Sequence, residues 1–447
     1  VLEDLINVSA DDLTSGNLST LLSSGVAGLN PDDIESFQIL KDVSATSLYG
    51  AQAMNGVIVI TTKSGKQGRV SVNYSATVSI RERPRYSDFN IMNSVDEMSI
   101  YKELVRKGWV DMTSVAKAKN YGVLGKMYDL LAKKQLTWDK NGLYNEEFLT
   151  KYANANTDWF DILFKNSVTN QHSLSMTGGG EKSRFYASLS YYNDNGTTIA
   201  DNVDRYTVAL KGDVDVSSKV NLGLKLSANI RDQKVPGTKN RSFDPTTGAF
   251  SRDFDINPFS YALNTARTMR AYDDNGDLEY FRSDYTPFNI VYELNHNYVD
   301  MSVTDVSAQS DIKYTPFKGL SLNAIVSMRR ANTLQEHKIH ETSNQAEAYR
   351  SAPSEIIAKL NKLLFADPLM PGSNPYTILP EGGFYKTEEN KLEHLYAKFQ
   401  AEYGKSFNND HMINLLAGFE INRTNRKNTW NDGWGYIYDN GGVVVMH

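Results

Sequence analysis

Residues 219–231 read KVNLGLKLSANIR, a stretch in which apolar and polar side chains alternate one by one. The apolar positions are Val220, Leu222, Leu224, Leu226, Ala228 and Ile230. The polar or small positions are Lys219, Asn221, Gly223, Lys225, Ser227, Asn229 and Arg231. Successive side chains of a β-strand point to opposite faces, so this alternation predicts a strand with one apolar face.

The same period of two recurs along the chain. It covers residues 70–81 and 205–216, and weaker forms predict strands at about 169–178, 183–194, 303–315, 319–330, 393–404 and 410–422. Together these make nine strands, most of them near the roughly 10 residues of a tilted membrane strand.

The connections between these strands alternate between short and long. Short turns lie at 178–182, 217–218, 315–318 and 404–410, with a medium loop through Asn195-Gly196. Long segments cover 82–168, 232–302 and 331–392. A soluble β-sandwich has little reason to place every long loop on one side, whereas an outer-membrane barrel does so. We therefore expect an all-β transmembrane up-and-down antiparallel barrel, with Leu222, Leu224, Leu226 and Ile230 facing lipid.

Composition agrees with this class and excludes others. The mean hydropathy is −0.46 and no window has the apolar length of a spanning helix, which excludes a helical membrane protein. There are no cysteines, so disulfides, thiolate metal sites and cysteine nucleophiles are excluded. The net charge of −6 has no basic stripe, so nucleic acid is not an expected partner.

Residues 1–69 lack the strand meander and predict part of a small α/β unit. Asn30-Pro31-Asp32-Asp33 has the order of a helix start, with a capping Asn, Pro in the first position and acids in the first turn. Short strands are predicted at Ser36–Leu40 and Gly56–Thr62, with a helix at Ala45–Tyr49 between them.

The long loops carry helical patterns of their own. Ser94 and Glu97 have the spacing of a capping box, with Gly108 as the stop, and Pro353–Phe365 has apolar residues at helical spacing. Such loops are usually functional surfaces. The alternative is that they only pack on one another.

Three segments resemble the SusC-like family of TonB-dependent transporters, the starch-utilisation type, over about Leu29 to Asp277. The first segment resembles that family's plug signature and the second the start of its barrel, although Gln52-Ala53-Met54 departs from many members. The segments are LNPDDIESFQILKDVSATSLYGAQAMNGVIVITTKSGKQG, TDWFDILFKNSVTNQHSLSMTGGGEKSRFYASLSYYNDNG and NPFSYALNTARTMRAYDDNGDL.

The resemblance implies an outer-membrane location and a plug inside a barrel of roughly 22 strands. It also implies energy from the inner-membrane TonB complex and a SusD-type surface lipoprotein as a lid. Residues 1–69 are then the C-terminal part of the plug, and 70–447 the N-terminal part of the barrel. Nine strands are too few and an odd number, so we expect the end of the barrel to be missing from this chain. No TonB box is visible at Val1, so we expect the start of the plug to be missing as well.

Candidate site residues lie mainly in the plug-like segment. They are expected to act in gating or, as the local alternative, only to fix turns. They are Asn30, Asp32, Asp33, Lys41, Asp42, Tyr49, Gly50, Asn55 and Gly56.

A second candidate site lies at 273–279. Asp273, Asn275, Asp277 and Glu279 alternate oxygen ligands around a glycine, as the opening of a calcium loop does. This predicts a calcium site, although the distal Glu of an EF-hand is not evident and solvated acidic turns are common.

Enzyme motifs are absent: the chain has no HExxH, GxSxG or Walker loop. Two acids flank an aromatic pair in Asp158-Trp159-Phe160-Asp161, as in the acid pair of a glycosidase beside a ring that stacks on sugar. The same string is similar to a structural motif of the SusC-like family.

The function expected from these observations is active import of oligosaccharides or oligopeptides. The alternatives are a siderophore or cobalamin receptor and a barrel-anchored binding or adhesion protein. Some aromatic side chains of the loops can stack on a sugar, although aromatic girdles at the membrane interface explain many of them equally well. They include Trp109, Trp138, Tyr144, Trp430 and Trp434.

Overall fold

A computed structural model describes residues 29–40, 57–237, 242–244, 249–251, 254–407, 411–439 and 441–444. The predicted helix Ala45–Tyr49 and the candidate residues Lys41, Asp42, Tyr49, Gly50, Asn55 and Gly56 lie outside this description. Within the described ranges, none of the helices has the length and apolarity to cross a membrane.

One antiparallel sheet of ten strands organises the described chain. Each strand pairs with the next barrel strand along the chain, so the sheet is the predicted up-and-down meander. Its members are β3 (Gly68–Arg81), β4 (Ser167–Gly179), β5 (Ser183–Asp194), β6 (Asn202–Ser217), β7 (Val220–Pro236), β12 (Asn297–Phe317), β13 (Leu320–Ile339), β14 (Gly383–Phe407), β15 (His411–Ile437) and β16 (Val443–Val444).

Three further sheets have two strands each. The plug-like segment supplies one, because β1 (Ile34–Leu40) pairs with β2 (Val57–Thr62) after a 3-10 turn at Pro31–Asp33. The other two lie between β7 and β12: β8 (Ser242–Asp244) with β9 (Ala249–Ser251), and β10 (Phe281–Ser283) with β11 (Thr286–Phe288).

The two faces of β7 lie as the alternation predicts. Ser227 and Asn229 line a small cavity with Asn30 and Asp33 of the plug-like segment, so they face the lumen. The lipid-facing set has side chains exposed by 39–48% on the opposite face: Leu222, Leu224, Leu226 and Ile230.

The later strands are longer than the alternation predicts. The alternation predicts a strand over residues 319–330, but β13 runs on to Ile339, where it pairs with Phe384 of β14. Beyond the apolar band both faces are largely polar, so periodicity in hydrophobicity vanishes while backbone pairing continues. At the opposite end the turns are tight: Gly319 has φ +102°, and the Gly404 N–H donates to its carbonyl at 2.8 Å.

The long connections lie at one end of the sheet. We call residues 82–166 loop 1, residues 237–296 loop 2 and residues 340–382 loop 3. Their helices are α1 (Ser94–Arg106), α2 (Met112–Lys117), α3 (Val123–Ala132), α4 (Glu146–Ala153), α5 (Trp159–Leu163), α6 (Pro258–Asn264), α7 (Ile290–His296), α8 (Asn344–Ala348) and α9 (Glu355–Leu360).

Two details of the predicted helices are wrong. The cap of α1 is Asn93, whose side chain accepts from the Asp96 N–H at 2.9 Å, while Ser94 Oγ instead accepts from the Asn156 N–H. The predicted helix Pro353–Phe365 is only Glu355–Leu360. The chain leaves the helix at Asn361, whose side chain donates to the carbonyls of Ala348 and Ser351.

The loops bury their apolar residues on one another. One cluster joins helices α1 to α4 of loop 1 to Phe281 of loop 2. A second packs Trp159, Phe160 and Leu163 of loop 1 against Ile290 and other residues of loop 2. The loops therefore form a folded layer above the barrel end.

Candidate functional site at the lumen and the outer mouth

Asp33 anchors the plug-like segment to the barrel wall. Its Oδ1 accepts a hydrogen bond from the Tyr186 hydroxyl at 2.7 Å, and its Oδ2 accepts one from Ser188 Oγ at 2.8 Å. The residue is buried, with both carboxylate oxygens satisfied by hydroxyl donors from the same strand. Both hydrogen-bond partners of the carboxylate are neutral hydroxyls.

Asn30 makes a second contact with the wall while it caps the 3-10 turn. Its amide donates to Ser173 Oγ at 3.0 Å, and its Oδ1 accepts from Gln171 Nε2 at 3.2 Å. The same Oδ1 accepts from the Asp32 N–H at 3.2 Å, which is the capping bond predicted from sequence. One side chain thus fixes the local turn and holds it against the barrel.

The end of β2 is held through backbone carbonyls. Lys211 of the wall donates to the carbonyls of Thr62 and Lys63, at 2.9 and 2.6 Å. Lys63 in turn donates to the carbonyl of Asp32 at 2.6 Å. The structure therefore brings together Asn30, Asp32 and Asp33 with wall residues that sequence reasoning did not single out.

A cavity of about 50 Å³ separates part of the plug-like segment from the wall. Its floor includes Arg329, which is buried and makes bidentate contacts with Asp305, the shortest at 2.6 Å. In the described residues, Asn229 Oδ1 at this cavity is buried without a hydrogen-bond partner. A polar gap of this kind suits bridging water. When a plug-like segment and a wall with polar surfaces separate, their hydrogen bonds to each other are replaced by hydrogen bonds to water.

Glu279 locks loop 1 to loop 2 at the outer mouth. Its buried carboxylate accepts from Arg270 Nε at 2.8 Å and from Lys126 and Tyr152 of loop 1. Burial, followed by the hydrogen bond to Glu279, raises the pKa of the Tyr152 hydroxyl above its usual range. The carboxylate thus stays paired with two cations and one neutral phenol.

Asn344 and Glu293 join loop 2 to loop 3. The Asn344 N–H donates to Glu293 Oε1 at 2.9 Å, and its side chain donates to the Ser283 carbonyl and Thr286 Oγ1. Burial raises the pKa of the Glu293 carboxyl to about 8, and the Asn344 N–H only partly opposes this. All three loops are therefore held in one arrangement by buried polar contacts.

The acidic turn predicted to bind calcium has other bonding partners in this structure. Asp273 Oδ1 accepts from the N–H groups of Asn275 and Asp277, at 2.8 and 3.0 Å. Glu279 is occupied by Lys126 and Arg270. Within the described residues, no group of three or more His or acidic side chains is arranged to hold a metal ion. The calcium site stays a prediction without a preformed ligand set.

The carboxylates of the Asp158–Asp161 string have structural partners. Asp158 caps α5 by accepting from the Asp161 N–H at 2.9 Å, and Asp161 pairs with Arg83 at 2.8 Å. Trp159 is buried and donates to the Ala266 carbonyl. The two acids therefore hold loop 1 together and the ring joins it to loop 2, which agrees with the structural interpretation of this string.

Loop 3 keeps a large apolar surface exposed. Leu369 is the extreme case, with an exposed fraction of 89%. We call the exposed apolar residues of this loop the apolar surface of loop 3, and they are Ile356, Leu360, Phe365, Leu369, Met370, Tyr376 and Ile378. Exposed apolar residues that lie together typically mark an interaction site. Of the aromatic residues considered for stacking, Trp109, Trp138 and Trp430 are exposed. Tyr144 packs on the apolar cluster of loop 1, and Trp434 packs against Tyr349 and Phe384.

Comparison with characterised proteins gives one consistent group, although no family model matches the chain. The TonB-dependent receptor SusC of Bacteroides thetaiotaomicron is 30% identical over 190 residues, which is 42% of this chain and 15% of SusC. The TonB-dependent receptor P3 of Formosa agariphila is 27% identical over 224 residues, 49% of this chain and 17% of the receptor.

Solved structures agree in fold. A structure of the RagAB peptide transporter matches 94% of this chain and 42% of its own, with a TM-score of 0.63 at 22% identity. The RagAB importer in its closed-closed state matches with a TM-score of 0.60 at 23% identity. The chain thus spans less than half of the RagAB chain it matches, and the described strands form part of an outer-membrane β-barrel. The chain is therefore similar in sequence to SusC and another TonB-dependent receptor, and similar in fold to the RagAB transporter.

Proposed function

We propose that this chain forms part of the plug, lumen wall and outer mouth of an active importer of oligosaccharides or oligopeptides. Residues 1–69 belong to the plug in this proposal, and residues 70–447 to the barrel and its loops. The observation that carries it is the contact of Asn30 and Asp33 with the wall, which in the described residues is made by hydrogen bonds.

A separate unit bound inside a barrel argues for transport over adhesion. An adhesin needs the barrel only as an anchor and gains nothing from a lumenal domain that can leave its seat. Each hydrogen bond of this contact is worth about 1 kcal/mol net, so the contact opens under a modest pull. We propose that the TonB complex supplies this pull through the plug.

The loops support a partner that loads the lumen. They are locked to one another through Glu279 and Asn344, so they act as a platform and not as a moving lid. Their packing also supports the alternative that they close the mouth unaided. The apolar surface of loop 3 favours a partner, because packing among the loops leaves it uncovered. We propose a SusD-type surface lipoprotein as that partner and as the movable lid.

Oligosaccharides and oligopeptides both remain within this proposal. SusC is a TonB-dependent receptor and RagAB is described as a peptide transporter, so the relatives span more than one cargo. A siderophore or cobalamin receptor is the nearest rival, and no geometric feature of the described loops favours it.

A disulfide lock tests whether the plug must leave the wall. The chain has no cysteine, so Asn30→Cys with Ser173→Cys introduces a single pair of cysteines. They replace two side chains whose Nδ2 and Oγ atoms lie 3.0 Å apart. The matched control is Ser227→Cys with Ser307→Cys. These two serines lie on neighbouring wall strands, with their Oγ atoms 2.6 Å apart. Both are made in the full-length protein, in cells that depend on it for a polymeric nutrient.

We expect the Asn30–Ser173 lock to stop uptake until a reductant is added, and the wall lock to leave uptake unchanged. Unimpeded uptake with the first lock fully formed would contradict a plug that parts from the wall at this contact.

A further inference from the structure

On strands β13 to β15 the outward face of the sheet has an apolar band that ends in basic residues. On β13 the band contains Leu322, Ala324, Val326 and Met328, and on β15 it ends at Ile421. The next outward residues on these two strands are Arg330 and Arg423, followed by the lysines of β14 and β15, Lys391 and Lys427. We call these four residues the basic belt.

The pairing register places the basic belt in one patch. Met328, Leu395 and Arg423 form one row across β13, β14 and β15. Arg330, Glu393 and Asn425 form the row two residues higher, and Asn332, Lys391 and Lys427 the next. With strands about 4.8 Å apart and about 3.3 Å per residue, the patch measures roughly 10 by 13 Å.

The patch has a positive balance. Two acids share it: Glu393 lies 3.6 Å from Arg330, and Glu389 lies 2.8 Å from Lys391. Four cations against two acids leave a net charge of +2. Farther from the apolar band the positive charge is balanced. Lys338 there forms ion pairs with Asp300 at 2.7 Å and with Glu336 at 3.9 Å. The basic excess is thus confined to the edge of the apolar band.

We propose that the basic belt binds the phosphate of an anionic glycolipid in the outer leaflet of the membrane. The edge of a barrel's apolar band lies at the height of the lipid headgroups. Guanidinium groups bind phosphate through paired hydrogen bonds, and lysines add point charges. Clustered basic residues at this height attract anionic headgroups. The proposal depends on the orientation of the barrel in the membrane and not on what the lumen transports.

Lipid retention by the purified full-length protein tests the proposal. The belt variant carries Arg330→Gln, Lys391→Gln, Arg423→Gln and Lys427→Gln. The matched control changes four basic residues of the inward face, Lys225→Gln, Lys386→Gln, Lys398→Gln and Arg426→Gln. Each protein is incubated in detergent with phosphorylated lipid A or with its dephosphorylated form, and native mass spectrometry counts the bound lipid. Heat-modifiable migration in gels verifies that each variant is folded.

We expect the unchanged protein and the control to retain phosphorylated lipid A, with binding by the belt variant at least about tenfold weaker. Dephosphorylated lipid should bind weakly to all three. Equal retention by the belt variant and the control would overturn the proposal, as would retention that ignores the phosphate. A belt variant that keeps its lipid but loses a co-purifying lipoprotein would identify a protein surface instead.

Discussion

A lysine in place of Leu224 tests the orientation of the barrel wall. Leu224 lies near the middle of the apolar face of β7, which runs from Val220 to Ile230, and nearly half of its side chain is exposed outward. A lysine facing lipid at mid-bilayer depth costs about 2–4 kcal/mol. That cost lowers the folding equilibrium constant roughly 30- to 900-fold.

Ser227→Lys is the matched control on the same strand. Ser227 faces the lumen beside Asp305 and Asp33, so an ammonium there meets water and carboxylates. Native Lys225 already occupies this face, paired with Asp311 at 3.2 Å. We expect Ser227→Lys to change folding by less than about 1 kcal/mol.

The assay is urea-dependent folding of the full-length protein into lipid vesicles, with the folded fraction read from heat-modifiable migration. The Leu224→Lys midpoint should shift strongly and the Ser227→Lys midpoint little. Equal shifts would mean that the two faces of β7 do not separate lipid from lumen, and the orientation argued above would be wrong.

Two further predictions concern the locks between the loops. Glu279→Gln leaves Lys126 and Arg270 without their buried anion, so we expect loop 1 to lose about 3–5 kcal/mol of local stability. Hydrogen exchange should then rise in Glu146–Ala153, and unchanged exchange there would contradict the lock. Burial raises the pKa of Glu293 from 4.5 to about 8, so the folded state favours the protonated carboxyl. The contribution of Glu293 to the stability of the folded state is complete below pH 4.5 and is lost as the pH rises through about 8. Protection of Ile290–His296, corrected for intrinsic exchange, should fall over that window, and Glu293→Gln should abolish the fall; a variant that keeps the full pH dependence would implicate another group.

The apolar band could be read from sequence because lipid enforces a strict period of two. The alternation around Leu224 therefore predicts both the strand and its faces. Above the band no apolar solvent selects one face, so the extension of β13 from Arg330 to Ile339 leaves no hydrophobic pattern. Backbone pairing with β14 stabilises that extension, and pairing between distant segments has no local signature.

The candidate site divides in the same way. Asn30 and Asp33 carry a local signal, because capping and acidic first turns depend on neighbours in sequence. Their wall partners do not, since Tyr186 lies 153 residues from Asp33. Glu279 and Lys126 are also 153 residues apart. From its sequence neighbours Glu279 is only part of an acidic turn. Tertiary packing is what brings two cations to its carboxylate.

The contact between the plug-like segment and the wall differs in kind from the contacts between the loops, and this difference sets the order of the steps we propose for import. The plug-like segment meets the wall through hydrogen bonds of the Asn30 amide, the Asp33 carboxylate and the Lys211 ammonium beside a polar cavity, so water can replace each partner as the surfaces part. The loops are joined by a buried carboxylate with two cations and by apolar clusters, and separating them exposes charge and apolar area together. Under a pull from the periplasmic side, the plug contact therefore opens well before the loops rearrange. In this proposal the mouth stays fixed while the plug moves, so capture of cargo from outside needs a moving part that the loops do not supply.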